Sequence, residues 1–351
     1  MFFNLNLLHV RRLSFLVAVF AAVGCAEATN SSVQLREECV GRARISVPAD
    51  VEFALTSMKN WSGDENFVDP VRFSDDTRAG FSSFYYMGEV QITDAISDSD
   101  FSILRRKTEQ KAEENRKYFL ARDNMELAGA IRPLKSTSEL VFGQEYATAV
   151  EIFTRVGKRA VGFQTSWFKT QEENRKLALY LSSNYRSRSA FEIPSEEGVC
   201  FPFGFLPDNG NGQRDISVAM RSKLIPDLII TFEDNMLVLA NAKGSNKDIA
   251  ENVVLPNLGA FFAKIKSRDI TSRKIDNREG AAIFVRGVNK GGRDSVAFGA
   301  VVAGNDRASA GMPSLVLRIV YSPRPQATGR NISEKEFRVL AEQIADSIKR
   351  R

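Results

Sequence analysis

The 351 residues hold 48 Lys and Arg against 43 Asp and Glu, with 25 Phe, three Cys and one His. A formal charge of +5 is too balanced for a nucleic-acid-binding surface. The lone imidazole, His9, falls in a leader that export removes, which excludes Ser-His-Asp and Cys-His catalysis, histidine general bases and zinc sites needing a histidine ligand.

Arg11 and Arg12 precede an apolar run over residues 13–24, broken only by Ser14, in the layout of a signal peptide spanning 1–24. The run is too short to cross a bilayer, and no later stretch approaches the roughly 20 apolar residues that a crossing needs, so no transmembrane span is expected. Two cleavage sites compete. Ala22-Val23-Gly24-Cys25 has lipobox form, with Cys25 acylated as the new N-terminus and the chain tethered to a membrane by lipid. Ala26-Glu27-Ala28 offers ordinary cleavage and a soluble product. The apolar run ends directly on Gly24-Cys25, which favours the first. The leader carries two of the basic residues and no acid, so the mature charge falls to +3. Cys39 and Cys200 remain as ordinary thiols. An even pair in an oxidising compartment reads as a disulfide closing a loop of about 160 residues, worth about 3–5 kcal/mol on a chain-entropy model; the alternative is two buried free cysteines.

Roughly 325 mature residues exceed the usual single core, which predicts two domains, 33–194 and 195–351. The divide falls in a weakly hydrophobic stretch, 187–198, containing Pro194 and the pair Glu196-Glu197. In the first domain Val40, Ile45 and Val47 suggest a short strand ended by Pro48. Residues 84–92 read as a strand and 98–120 as a charged helix with a thin stripe of Phe101, Leu104, Tyr118 and Phe119. Two more strands are expected over 145–156 and 160–168. Thr170-x-x-Glu173 is a capping box opening a helix through Leu177, Tyr180 and Leu181.

The second domain repeats that order. Strands are expected over 215–220 and 227–232, then a helical stretch from Ser245-x-x-Asp248 that Pro256 should kink or break. Its second part spaces Leu255, Leu258, Phe262 and Ile265 at helical intervals. Strands follow over 281–285, 296–302 and 314–321. The last helix is capped by Ser333 and Glu336, stapled by Ile332 and Phe337, and striped by Leu340, Ala341, Ile344, Ala345 and Ile348. Lys349, Arg350 and Arg351 suit the negative end of its dipole. Both halves read as strand, helix, several strands, helix. This is an α+β class, each domain an antiparallel sheet with helices packed on one face, and the parallel order suits a structural duplication.

Catalytic motifs are thin. Ser166-x-x-Lys169 has Ser-Lys spacing but sits in a strand-like run. Asp208-Asn209-Gly210-Asn211-Gly212 lacks the downstream Glu of a calcium loop and reads as a turn. The run Gly287 to Gly292 has no phosphate-loop or dinucleotide pattern. Asp75-Asp76, Glu113-Glu114 and Glu172-Glu173 are adjacent acids, which do not face each other across a substrate as a glycosidase pair must. No cofactor, metal or enzyme activity is expected. Phe201, Phe203 and Phe205 alternate around Pro202 and Gly204, and in one strand would share a face. They serve either as a plug between the domains beside Cys200 or as an exposed patch for a protein partner.

Glu38-Cys39-Val40-Gly41-Arg42, leading into a short strand and Pro48, and Gly198-Val199-Cys200-Phe201-Pro202-Phe203-Gly204-Phe205-Leu206 resemble the immunity proteins paired with type VI secretion phospholipase effectors. The resemblance spans essentially the whole mature chain. It implies a two-domain periplasmic protein that binds an α/β-hydrolase lipase and holds its mobile lid between the domains. Inhibition would then be steric and would need no catalytic group. It further implies that the Cys39–Cys200 bridge joins the starts of the two domains. Partner contacts are expected in two Gly-rich segments that flank predicted strands, 201–212, through Phe201, Phe203, Phe205, Asp208 and Asn209, and the turn 288–293, through Asn289, Lys290 and Arg293; the alternative for each is an ordinary surface loop. The competing readings are an envelope lipoprotein with a structural, chaperone or ligand-binding role, and a carboxylate hydrolase of cell-wall polymer.

Overall fold

The computed structural model describes residues 33–58, 71–136, 138–165, 170–210, 212–236, 244–304, 312–324 and 329–351. His9, the leader, Cys25, the Ser166–Lys169 spacing and Asn211 lie outside these residues. Val33–Arg351 forms one compact unit.

The chain opens with β1 (Leu35–Val40), β2 (Ala43–Pro48) and β3 (Val51–Phe53), then β4 (Ser83–Tyr86) and β5 (Gly88–Ile92). Helices α1 (Asp98–Leu120) and α2 (Met125–Ala130) precede β6 (Arg132–Pro133), β7 (Val141–Glu145), β8 (Val150–Val156) and β9 (Arg159–Thr165). Next come α3 (Gln171–Asn184), β10 (Arg186–Ser187), β11 (Gly198–Phe201) and β12 (Gly204–Pro207). Strands β13 (Arg214–Ser222) and β14 (Leu228–Asn235) lead to α4 (Asn246–Ile249), a π turn (Ala250–Val254) and α5 (Leu255–Gly259). The chain ends with β15 (Lys264–Ile275), β16 (Arg278–Val288), β17 (Asp294–Val302), β18 (Ser314–Tyr321), α6 (Glu334–Asp346) and β19 (Lys349–Arg350).

One antiparallel sheet of 13 strands runs β15-β16-β17-β18-β14-β13-β4-β5-β9-β8-β7-β6, with β3 on β13. The segments expected as two domains meet inside it, where Arg214–Ser217 of β13 pair with Ser83–Tyr86 of β4. Alternation sorts the side chains into two layers. Ile152, Phe163, Ala282 and Phe284 face the main core with Ala178 and Leu181 of α3 and Phe337, Leu340 and Ile344 of α6. Phe142 and Phe153 face the other way, onto Phe101 and Leu104 of α1. Ile283, Val285 and Val301 likewise meet Val254, Leu255 and Leu258. The α+β class holds, but helices cover both faces of each half rather than one. That is why β18 is buried along its whole length and reads in sequence as an unbroken apolar run.

Several boundaries differ from the sequence reading, each for a local reason. Residues 84–92 fold back on themselves at Met87 (φ 55°) and Gly88 (φ 155°). A Cβ on Gly88 would stand 2.2 Å from the carbonyl oxygen of Gln164, so only glycine lets β5 close on β9. Residues 145–156 are likewise two strands, reversed by a turn in which Tyr146 N–H donates to Ala149 O at 2.9 Å. The buried stripe of α1 continues through Thr108 and Ala112, while Tyr118 is 50% exposed and packs on the ring of Phe119. Pro256 does not break its helix. Leu255 N–H reaches back five residues to Ala250 O, and the widened turn accommodates a residue with no N–H to donate. The helix stops at Gly259, so Ile265 belongs instead to β15, 40% exposed. No periodicity announced β15. As an edge strand it pairs on one side and buries almost nothing until Ile275. The capping boxes at Thr170 and Ser333 form as expected. Lys349 and Arg350, however, leave the α6 dipole and pair as β19 with Arg44 and Ala43 of β2.

Candidate functional site

The motifs that carried the family resemblance converge on a junction where the N-terminal hairpin, the C-terminus and the β11–β12 hairpin meet. Cys39 and Cys200 are bridged, with Cα atoms 5.7 Å apart. Gly41 N–H donates to Cys200 O at 2.9 Å and Cys200 N–H to Gly41 O at 2.8 Å. Gly41 takes φ 57°, and a Cβ there would stand 2.3 Å from Asp234 Oδ2, so no other residue fits. Glu38 is fully buried and pairs with Arg188 at 2.6 Å. Its carboxylate also accepts Cys39 N–H at 2.7 Å and Phe191 N–H at 2.8 Å. Arg188 donates to Cys39 O and Phe201 O at 2.9 Å and to Gly204 O at 3.1 Å. Beside them Arg214 and Asp234, both fully buried, pair at 2.8 Å, and Asp234 also accepts Arg42 N–H at 2.7 Å. Arg351 donates to Cys39 Sγ at 3.3 Å, to Cys200 Sγ at 3.2 Å and to Pro194 O at 2.6 Å. Burial, then the cations Arg188, Arg42 and Arg44, pull its guanidinium below the usual arginine range.

The phenylalanine triplet does not share a face. Pro202 and Phe203 make a turn, with Phe203 at φ 59°, so Phe201 and Phe205 lie on different strands of a hairpin. Phe205 pairs in register with Cys200 and packs with the disulfide. Phe201 enters the main core beside Tyr185, at 5.7 Å between rings. Both are fully buried, which supports the plug and removes them from any surface patch. Phe203 is half-buried, edge-on to Phe53 at 5.2 Å and beneath the Arg159 guanidinium. Asp208 keeps its side chain 4% exposed, 3.8 Å from Arg42. Asn209 is exposed. At the second turn Asn289 is 8% exposed and shapes the loop. Its Oδ1 accepts Gly291 and Arg293 N–H at 3.0 Å, while Nδ2 donates to Ser322 Oγ and Pro323 O at 3.1 Å. Lys290 and Arg293 are exposed. The two loops lie at opposite ends of β18, about 24 Å apart along the strands, so they do not form one patch.

The adjacent acids sit in ordinary ion pairs. Asp75 meets Arg221 at 2.8 Å, and that guanidinium holds its carboxyl well below the usual carboxylate range. Glu113 pairs with Arg116 at 2.9 Å and Glu172 with Lys176 at 3.5 Å. A groove of about 490 Å³ beside the junction is lined by Arg42, Glu197, Asp276, Arg350 and Arg351, charges of both signs. Among the described residues, no three His, Cys, Asp or Glu side chains are grouped to hold a metal ion.

A feature that sequence reasoning missed lies on the other face of the sheet, between α1 and α4–α5. Register places Glu151, Gln164, Glu89, Tyr85, Asp215 and Asn235 side by side across β8, β9, β5, β4, β13 and β14. Burial pushes the carboxyls of Glu89 and Glu151 up. Asp215 is pushed up to about 7 by burial and then by Glu233 and Asp234. Alternation gave a signal here: polar residues at 89 and 91 and at 215 and 217 interleave with Val90, Ile92, Ile216 and Val218. That pattern marks a strand with one polar face, but not which faces become neighbours.

Fold and junction define a class, a disulfide-closed α+β protein built on one long antiparallel sheet. Residues 192–351 match the family of the Tle cognate immunity protein 4 C-terminal domain, and the resemblance drawn from the sequence holds. Among curated proteins no sequence match is found. Solved structures with the same fold include the immunity protein TplEi of the type VI secretion system from Pseudomonas aeruginosa, complexed with an "L" peptide. That structure has a TM-score of 0.58 and 16% identity, over 90% of this chain and 98% of that one. The apo structure of TplEi gives 0.56 and 17%, over 90% and 97%. A crystal structure of a Tle4–Tli4 complex gives 0.58 and 16%, over 90% and 97%. At such identity these likenesses establish the fold. Among the described residues, no helix is long and apolar enough to cross a membrane.

Proposed function

We propose that the chain is a periplasmic immunity protein that binds a type VI secretion phospholipase effector and inhibits it by holding its lid between the halves 33–194 and 195–351. The observation that carries this reading is the match of residues 192–351 to an effector-cognate immunity family, within a fold shared over 90% of the chain with such proteins. The protein acts by occupancy. A lid held in one conformation cannot open, and blocking it requires binding energy but no acid, base or nucleophile. Neutralising a toxin active at low copy number calls for a Kd of about 1 nM or below, roughly −12 kcal/mol. A sheet continuous through β4 and β13, with the Cys39–Cys200 bridge at its side, favours such affinity because little ordering remains to be done on binding. Acylation at Cys25 would hold the inhibitor at the membrane surface where the lipase works.

The test is direct. The mature chain is mixed with the lipase encoded beside its gene, and phospholipid hydrolysis is followed against inhibitor concentration. Stoichiometric inhibition is expected. Full hydrolysis at a several-fold molar excess would overturn the reading.

A further inference from the structure

At the junction buried charge is matched; in the row across β5, β4 and β13, half-buried carboxylates are not. Glu89 and Asp215 stand on either side of Tyr85 in register, and Gln91 lies two residues from Glu89 on the same face, since Val90 and Ile92 point into the main core. Gln91 is 8% exposed. The side chains of Glu89, Gln91 and Asp215 make no hydrogen bond or ion pair with the described residues, and Asp215 Oδ1 is shut off from solvent. The cation that acts on Asp215 is Arg318, which is already engaged with Glu233 at 2.8 Å and stacked on Phe81. Burying carboxylates without partners costs stability, and amides or apolar residues of similar shape would avoid the cost. Side chains that break a local rule in this way are expected at functional or strained sites.

We propose that this row seats a basic segment of the inhibited lipase, whose Lys or Arg side chains pair with Glu89 and Asp215 while Gln91 takes a polar contact beside them. The proposal rests on the functional reading above and gives it a chemistry. The two carboxylates stand two strands apart, about 10 Å, a separation that two basic side chains of one short segment can bridge. Other occupants fit poorly. A second copy would set the same acidic row against itself, and anionic lipid or nucleic acid would meet like charge.

The experiment compares wild type with the isosteric double variant Glu89→Gln/Asp215→Asn and a charge-matched control, Glu279→Gln/Asp294→Asn. Affinity for the lipase is measured at low and high salt, and melting confirms that every variant folds. The row variant is expected to bind about tenfold or more weakly, with a shallower salt dependence, while the control keeps wild-type affinity. Equal affinity of wild type and row variant, both still inhibiting, overturns this proposal and leaves the immunity reading intact. If wild type itself fails to bind, the immunity reading falls, and the proposal with it.

Discussion

The disulfide junction buries its charges fully and the polar row half-buries its carboxylates against a sheet, yet the two are opposite in kind. At the junction Glu38 meets Arg188 at 2.6 Å with two backbone N–H groups on the same carboxylate. Arg188 in turn closes the carbonyls of Cys39, Phe201 and Gly204. In the row, the side chains of Glu89, Gln91 and Asp215 have no such partners among the described residues. A buried group that its own chain satisfies is part of the architecture, whereas one left open calls for an explanation of its own. The junction therefore accounts for why the chain folds around Cys39 and Cys200. On the proposal above, the row is where the lipase supplies the missing charge.

The largest effect that would break this comparison is at Arg188. Arg188→Ala strands Glu38 in the core and frees three carbonyls, so a loss of about 5 kcal/mol is expected, at the top of the range for breaking a buried pair. Chemical denaturation measures it, and a loss under about 1 kcal/mol would remove the junction from the list of things that hold the fold. Cys39→Ser comes next, at about 3–5 kcal/mol for opening a loop of that length. Under the immunity reading its neutralising activity should fall mainly through stability. Thermal stability equal to wild type in the serine variant would contradict both statements.

Much of the junction was legible in the sequence, and little of the row was. Cysteine parity, in a chain whose leader reads as an export signal, pointed to the bridge between Cys39 and Cys200, and the flanking Gly41 and Gly204 mark close approaches that no side chain fits. The capping boxes at Thr170 and Ser333 could be read because their chemistry is local, three residues wide. What failed was long-range or depended on one residue's φ. The reversals at Met87 and Phe203 turned one expected strand into two and put Phe201 and Phe205 on different faces. Asp208 and Asn289 looked like loop residues free to touch a partner, but Asn289 is spent on holding its own loop and Asp208 is turned inward against Arg42. The row needed the register of six strands, four from one half of the chain and two from the other, and no window of sequence contains that.

The smallest effect gives the sharpest comparison, because one chemical change should have opposite signs in the two regions. Replacing carboxylate by amide at Glu38 should destabilise at any pH near neutrality, since it leaves Arg188 buried beside an amide in place of its counter-charge. At Asp215 the same change should stabilise. Asp215 titrates near 7 in the folded protein, raised from 3.8 by burial first and then by Glu233 and Asp234. Between those values the folded state holds a proton that the unfolded chain has released, so the carboxyl's contribution is most favourable below pH 4 and is lost as pH rises towards 7. By pH 8 the penalty is complete, on the order of 1–2 kcal/mol once the partial exposure of this strand is allowed for. Asp215→Asn should therefore melt above wild type at pH 8, and the gain should shrink steadily as the pH is lowered to 4. A variant less stable than wild type at pH 8 would mean that Asp215 has found a partner within its own chain, and the row would then be architecture like the junction.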